Sequence, residues 1–179
     1  GRILATPKAG WAGADLAGAV AAATGAPVDV DTDVNAAALA EALAEPGAEL
    51  RTLAYVTVGT GIGGGAVVHG RTLSGLLHPE MGHLRVRRAE GDRDFPGVCP
   101  FHGDCLEGLA SGPAITARWG RRFDELPDDH PALDILADYL GQLATSITLV
   151  LAAERIAFGG GDGVLLAALM PASDFVLLG

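Results

Sequence analysis

Residues 54–88 read AYVTVGTGIGGGAVVHGRTLSGLLHPEMGHLRVRR, and the fold turns on how this stretch is divided. Leu53–Val58 is apolar and β-branched, the composition of a buried strand. Gly59–Gly65 (GTGIGGG) predicts a turn, Ala66–His69 a returning strand, and Gly70-Arg71 a second turn. A loop follows, then a short strand over His83–Val86. At its start Glu80 and His83 stand in the spacing E-x-x-H. A glycine turn and a carboxylate–imidazole pair thus fall within one hairpin and its exit loop, an arrangement suited to a phosphate meeting a small polar substrate.

GTGIGGG lacks the Gly-Lys-Ser/Thr of a Walker loop, and it leads into a strand where a dinucleotide fingerprint leads into a helix. Its glycines let backbone N–H groups approach an anion without Cβ clashes, and Thr60 adds a hydroxyl. The plain alternative is a hairpin turn that needs left-handed residues. Five glycines in seven positions are more than such a turn requires.

Upstream, Gly1–Trp11 reads as an irregular entry, and Ala14–Thr24 as a helix stopped by Gly25 and Pro27. Val28 and Val30 alternate in a short strand, Pro27–Val30. Asp31-Thr32-Asp33-Val34-Asn35 then opens the strong helix AAALAEALAE, ended by Glu45-Pro46-Gly47. Asp31 and Asp33 sit at a strand-to-helix junction, a usual place for sites in α/β folds. A carboxylate there can act as general base on a substrate hydroxyl, although Asp, like Asn35, also caps helices as a matter of course.

Downstream, Ala89–Leu106 is charged, rich in Gly and Pro, and without periodicity. Ser111-Gly112-Pro113 starts a helix running to about Phe123. Leu133, Leu136, Leu140, Leu143, Ile147 and Leu151 recur at three and four, the mark of a long amphipathic helix. Arg155–Phe158 reads as a strand, Gly159-Gly160-Gly161 as another glycine turn, Val164–Met170 as helical and Phe175–Leu178 as a last strand or frayed end. Alternating strands and helices with an inserted hairpin give an α/β fold.

The chain has 179 residues, 49% hydrophobic and 19% charged, enough for a real core. A net charge of -10 argues against nucleic acid or an anionic membrane as partner. No apolar run approaches the ~20 residues of a membrane span, and no signal segment opens the chain. Two cysteines without such a signal point to the reducing cytoplasm and not to a disulfide framework. Cys99, His102 and Cys105 place three soft or borderline ligands at i, i+3 and i+6, inside a loop with little hydrophobic reason to fold. Zinc takes four such ligands. His83 is the nearest fourth, and His69, His78 and His130 are further candidates. With four protein ligands the role would be structural.

Taken in order, DTDVNAAALAE, YVTVGTGIGGGAVVHG, HPEMGH, C-x-x-H-x-x-C-LEGLASGPAI and ERIAFGGG resemble the ROK family of repressors and sugar kinases. DTDVN, TPKAGW and GVCPFHGDCLEG look most like its bacterial fructokinase branch. Thr32 and His102 stand where other branches generally carry Asn and a third Cys. The resemblance implies part of an actin-like ATPase (ribonuclease H-like) fold with a zinc-binding loop. Residues 1–52 would end the N-terminal lobe, and residues 53–179 would form the C-terminal lobe. It implies ATP-dependent phosphorylation of a hexose, fructose to fructose 6-phosphate, with Asp33 as base and Asn35, Glu80, His83 and Glu107 near the sugar. His83, Cys99, His102 and Cys105 would hold structural zinc. Gly59, Thr60, Gly61, Gly63 and Gly64 would face the phosphates of magnesium-ATP, and Gly159, Gly160 and Gly161 the adenosine. It further suggests a homodimer. Alternatives are a kinase for glucose, mannose or an N-acetylhexosamine, and the sugar-sensing part of a ROK repressor.

The chain opens on Gly1 and contains no D-x-G-G-T, the family's first phosphate loop, and only 18 residues follow the last glycine turn. It therefore reads as a fragment. The expected result is little or no kinase activity from these 179 residues alone; robust sugar-dependent ADP production by the purified chain would overturn this.

Overall fold

The computed structural model describes residues 1–4, 9–44 and 50–161. Two compact units are found, Gly1–Thr32 and Asp33–Gly179. In the first, helix α1 spans Leu16–Thr24. The Asp15 side chain accepts from the Gly18 N–H at its start, and Gly25 closes it in the left-handed conformation. Residues 27–30 are not a strand. Val28 and Val30 alternate, but among the described residues no strand pairs with them, and an unpaired strand gives up the ladder hydrogen bonds that define it.

The second unit is built on a four-stranded sheet in the order β3-β2-β1-β4. Strand β1 (Thr52–Val58) pairs antiparallel with β2 (Ile62–Val68), which pairs antiparallel with β3 (Arg71–Thr72). Strand β4 (Arg155–Gly159) lies parallel to β1. Glu154 fixes that register by accepting from the Thr52 and Arg51 N–H groups, which holds its carboxyl below the ordinary value. The glycine turn is shorter than predicted. Gly63, Gly64 and Gly65 belong to β2, and only residues 59–61 form the bend.

Each face of this sheet is covered. On one lies α2 (Asp33–Ala44), with Ala38 packed on Leu53 and Val67. On the other lie α3 (Leu106–Ala110), α4 (Gly112–Trp119) and α5 (Ala132–Leu151), around a core of Val56, Val58, Ile62, Leu109 and Ile115. The pleat explains the division, since alternate residues of β1 and β2 point to opposite faces. Helix α5 matches its periodicity: Leu136, Leu140, Leu143 and Ile147 are buried along one stripe, each contributing about 1.5–3 kcal/mol.

Two further predicted elements are corrected, and one element was not predicted. The strand expected at His83–Val86 is a 3-10 turn, Met81–His83, followed by irregular chain. The helix expected from Ser111 to Phe123 ends at Trp119, because Gly120 turns left-handed. The five-residue helix α3 went unread, since tertiary burial of Leu106 and Leu109 makes it and a helix so short has little periodicity to show. The helix stop at 45–47 and the elements expected at 164–170 and 175–178 lie outside the described residues.

The long loop entering α3 is held by a buried polar cluster. Asp92 is fully buried and forms an ion pair with Arg118, and Tyr139 of α5 donates its hydroxyl to Asp92 Oδ2. Neither Asp92 Oδ1 nor the Arg118 Nη1 has a hydrogen-bond partner, so their charge pairing is what offsets burial. Arg88 adds hydrogen bonds to the Asp92 and Phe95 carbonyls. Burial, with the bond to Asp92, pushes Tyr139 up to about 12.

Tyr139→Phe should therefore lower stability by about 1–3 kcal/mol in urea denaturation at neutral pH, because Asp92 loses a donor. An unfolded tyrosine ionises near pH ~10, so this side chain's contribution is complete below ~10 and is lost as pH rises towards 12. Wild type should lose about 2–3 kcal/mol across that window relative to the Phe variant. Parallel stability curves from pH 9 to 12 would refute the assignment.

Candidate active site

Strand β2 carries the site, because each neighbour meets it without an intervening side chain. A Cβ on Gly65 would lie 2.6 Å from the Asn35 nitrogen and 2.6 Å from the Val34 carbonyl carbon. One on Gly64 would lie 2.8 Å from the Met81 Cβ, and one on Gly63 3.1 Å from the Val34 Cγ1. Gly82 in turn packs directly on the Ile62 carbonyl. Two of the run's glycines thus admit the first turn of α2, and the third admits the 3-10 turn bearing Glu80 and His83. These are close-approach glycines within a strand.

Asp33 is the first residue of α2, and its side chain is exposed. Its Oδ1 accepts from the Val34 N–H at 3.0 Å. Two residues on, Asn35 is fully buried; its Oδ1 accepts from the Ala66 N–H at 3.2 Å and its Nδ2 donates to the Leu73 carbonyl at 3.1 Å. Glu80 is exposed and lies 2.8 Å from His78 Nε2. Glu107, in the first turn of α3, reaches the hairpin: its Oε2 accepts from the Ile62 N–H at 3.0 Å.

At the hairpin tip the Gly59 N–H donates to the Gly61 carbonyl, and the Gly112 N–H donates to the Gly59 carbonyl at 2.7 Å. The second bond ties the tip to the first turn of α4. There a cavity of about 770 Å³ is lined by Gly59, Thr60, Gly112, Pro113, Arg122 and Gly161, among others. Of the three glycines of the late turn, only Gly161 lines it. Gly159 packs on the Tyr55 ring and Gly160, at φ 90°, lies against Val58. Gly112 and Pro113 were not singled out from sequence as site residues. The signal was there in the Ser-Gly-Pro helix start, since the positive end of a helix dipole suits an anion. Nothing in the sequence marked Arg122.

The remaining group is the knuckle at Cys99–Cys105. Cys99 and Gly103 exchange two backbone hydrogen bonds, which folds the loop back on itself. His83 joins from the 3-10 turn, and one ligand atom each from His83, Cys99, His102 and Cys105 lies within 4.8 Å of every other. His83 Nδ1 is 3.4 Å from Cys105 Sγ and 3.8 Å from Cys99 Sγ, and His102 Nδ1 is 3.8 Å from Cys99 Sγ. Of the four predicted histidine candidates, His83 is the one brought to the cysteines. Burial, foremost, pushes the Cys105 thiol up.

Known proteins resemble this chain in sequence and in fold. The ROK family pattern covers residues 1–172. A fructokinase of Lactococcus lactis subsp. cremoris is 45% identical over 161 residues, which is 90% of this chain and 54% of that protein. A fructokinase of Zymomonas mobilis is 46% identical over 171 residues, 92% of this chain and 57% of that protein. Among solved structures, the ROK hexokinase from Thermus thermophilus superposes with a TM-score of 0.68 at 30% identity, over 89% of this chain and 57% of that one. The chain therefore spans little more than half the length of these relatives. No described helix is long and apolar enough to cross a membrane. With its mixed sheet, its glycine hairpin and a family pattern matched almost end to end, the chain belongs to the ROK family.

Proposed function

We propose that the whole protein phosphorylates a hexose with ATP, with fructose as the substrate and fructose 6-phosphate as the product. The observation that carries this is the layout of β2. Its tip borders a cavity shared with a helix start and Gly161, and its body seats both the Asp33 turn and the Glu80–His83 turn. The relatives covering 90% or more of the chain that are named fructokinases support the substrate class.

The roles follow from position. Thr60 and the backbone at Gly61 receive the phosphates beside Gly59, and the positive end of the α4 dipole adds favourable potential. Gly63 and Gly64 keep the strand flat enough for its neighbours. Glu80, His83 and Glu107 orient the sugar. Asp33 accepts the proton of the 6-hydroxyl as that oxygen bonds to the γ-phosphorus and the bond to the departing ADP oxygen breaks. Magnesium arrives with ATP and offsets phosphate charge.

The knuckle fits structural zinc. Bonds of about 2.1 Å to nitrogen and 2.3 Å to sulfur at tetrahedral angles place ligand atoms about 3.6 Å apart, and the observed nitrogen–sulfur separations of 3.4 and 3.8 Å bracket that value. His83, Cys99, His102 and Cys105 would hold the ion. The metal would supply a cross-link and no open coordination position. It would also stabilise the thiolate of Cys105 against the burial that disfavours it.

Two outcomes test this. In a panel of hexoses offered to the full-length protein, fructose should give the highest kcat/KM, and Asp33→Asn should lower kcat by about 10²–10⁴-fold. Wild-type turnover in that variant would remove Asp33 as base. Metal analysis of the purified protein should give about one zinc per chain, falling several-fold in Cys99→Ser with a lower melting temperature; unchanged zinc content would count against the site.

A further inference from the structure

We infer that Asn35 is a positioning residue that aims Asp33, and not a ligand of the sugar. The inference rests on Asp33 being the base. Asn35 is fully buried, and both ends of its amide are engaged by backbone from two separate segments, Ala66 in β2 and Leu73 beyond β3. Its backbone nitrogen lies 2.6 Å from where a Cβ on Gly65 would stand. An amide so placed cannot turn towards a substrate without leaving the Ala66 N–H or the Leu73 carbonyl unsatisfied in the interior.

The geometry has a direct consequence for Asp33. The carboxylate stands on the exposed first turn of α2, and its Oδ1 accepts from the neighbouring Val34 N–H. Nothing in that bond fixes the turn relative to the sheet. Asn35 does fix it, by pinning the next residue but one to β2, the strand whose tip borders the cavity. Gly65 completes the device by letting the helix backbone come down onto the strand backbone. A displacement of about 1 Å between base and phosphoryl acceptor is enough to cost about 10²-fold in rate. Asn35 and Gly65 therefore act on the chemical step through Asp33.

A double-mutant cycle tests this with the full-length protein. Asn35→Ala removes both amide contacts, to the Ala66 N–H and the Leu73 carbonyl, without burying a charge as Asn35→Asp would. Gly65→Ala keeps the Asn35 side chain but presses a methyl group on its backbone nitrogen and Oδ1, and so pushes the helix away. Both variants should lower kcat by about 10-fold or more while the KM and the calorimetric Kd for fructose stay within about threefold. Retained sugar binding also shows that the protein is folded. In the Asp33→Asn background the same changes should alter the residual kcat less than about twofold, because there is no longer a base to aim. A tenfold rise in KM with kcat kept would make Asn35 a sugar ligand and overturn the inference. Equal losses with and without Asp33, or no loss in either variant, would also overturn it. Wild-type turnover in Asp33→Asn alone would mark the failure of the base assignment, separately from these, and remove the inference with it.

Discussion

Where Asn35 crosses Gly65, a helix and a strand meet backbone to backbone, with no side chain between them. The rest of the site depends on that approach. A single methyl group at Gly65 would press on main-chain atoms, which move only if the whole first turn of α2 moves. The same strand meets Met81 through Gly64 on its opposite face. β2 is therefore a thin wall, and the residues offered as base and as sugar ligands are carried on elements pressed against its two sides. Thinness costs strand propensity, since glycine in a strand gives up entropy and packing. The sheet recovers stability from its flanks: β1 supplies Leu53, Val56 and Val58, all buried, and α5 covers the far face.

This explains why the glycine run was legible as important and yet was misassigned in part. The sequence shows five glycines in seven positions, and anion binding and close packing call for the same residue. Only the neighbours distinguish them. Gly59 has open space around it and borders the cavity, whereas Gly63, Gly64 and Gly65 are occupied by α2 and Met81. Those neighbours are distant in sequence, so no local pattern could report them. The long helix α5 was legible for the opposite reason: its six apolar positions repeat within one element. The failure at 27–30 has the same origin as the success at β1. Both stretches are apolar, but only β1 finds strands to pair with.

The knuckle was legible as a set of ligands and not as a location. Spacing joined Cys99, His102 and Cys105, and left four histidines open as the fourth. The 3-10 turn decides among them, because Gly82 must pack on the Ile62 carbonyl and that brings His83 round to the cysteines. Asp92 was missed altogether. In sequence it is one more charge in a charged loop; in the fold it is buried, facing Arg118 and Tyr139 from two helices.

The knuckle and the hairpin are joined more closely than their distance along the chain suggests. Cys105 and Glu107 stand two residues apart across the start of α3, and the Glu107 carboxylate holds the Ile62 N–H, the first residue of β2. Leu106, between them, donates its N–H to the Leu84 carbonyl, just past His83. The start of α3 is thus pinned from both sides, by the turn that bears His83 and by the strand that begins at the hairpin tip. A loop with few apolar residues has little hydrophobic free energy with which to hold such an alignment. The buried Asp92 cluster supplies at one end what packing cannot, and the proposed metal would do the same through the four side chains gathered at the other. A metal held there would have a mechanical role beside the hairpin: it would fix the segment from which both His83 and Glu107 project.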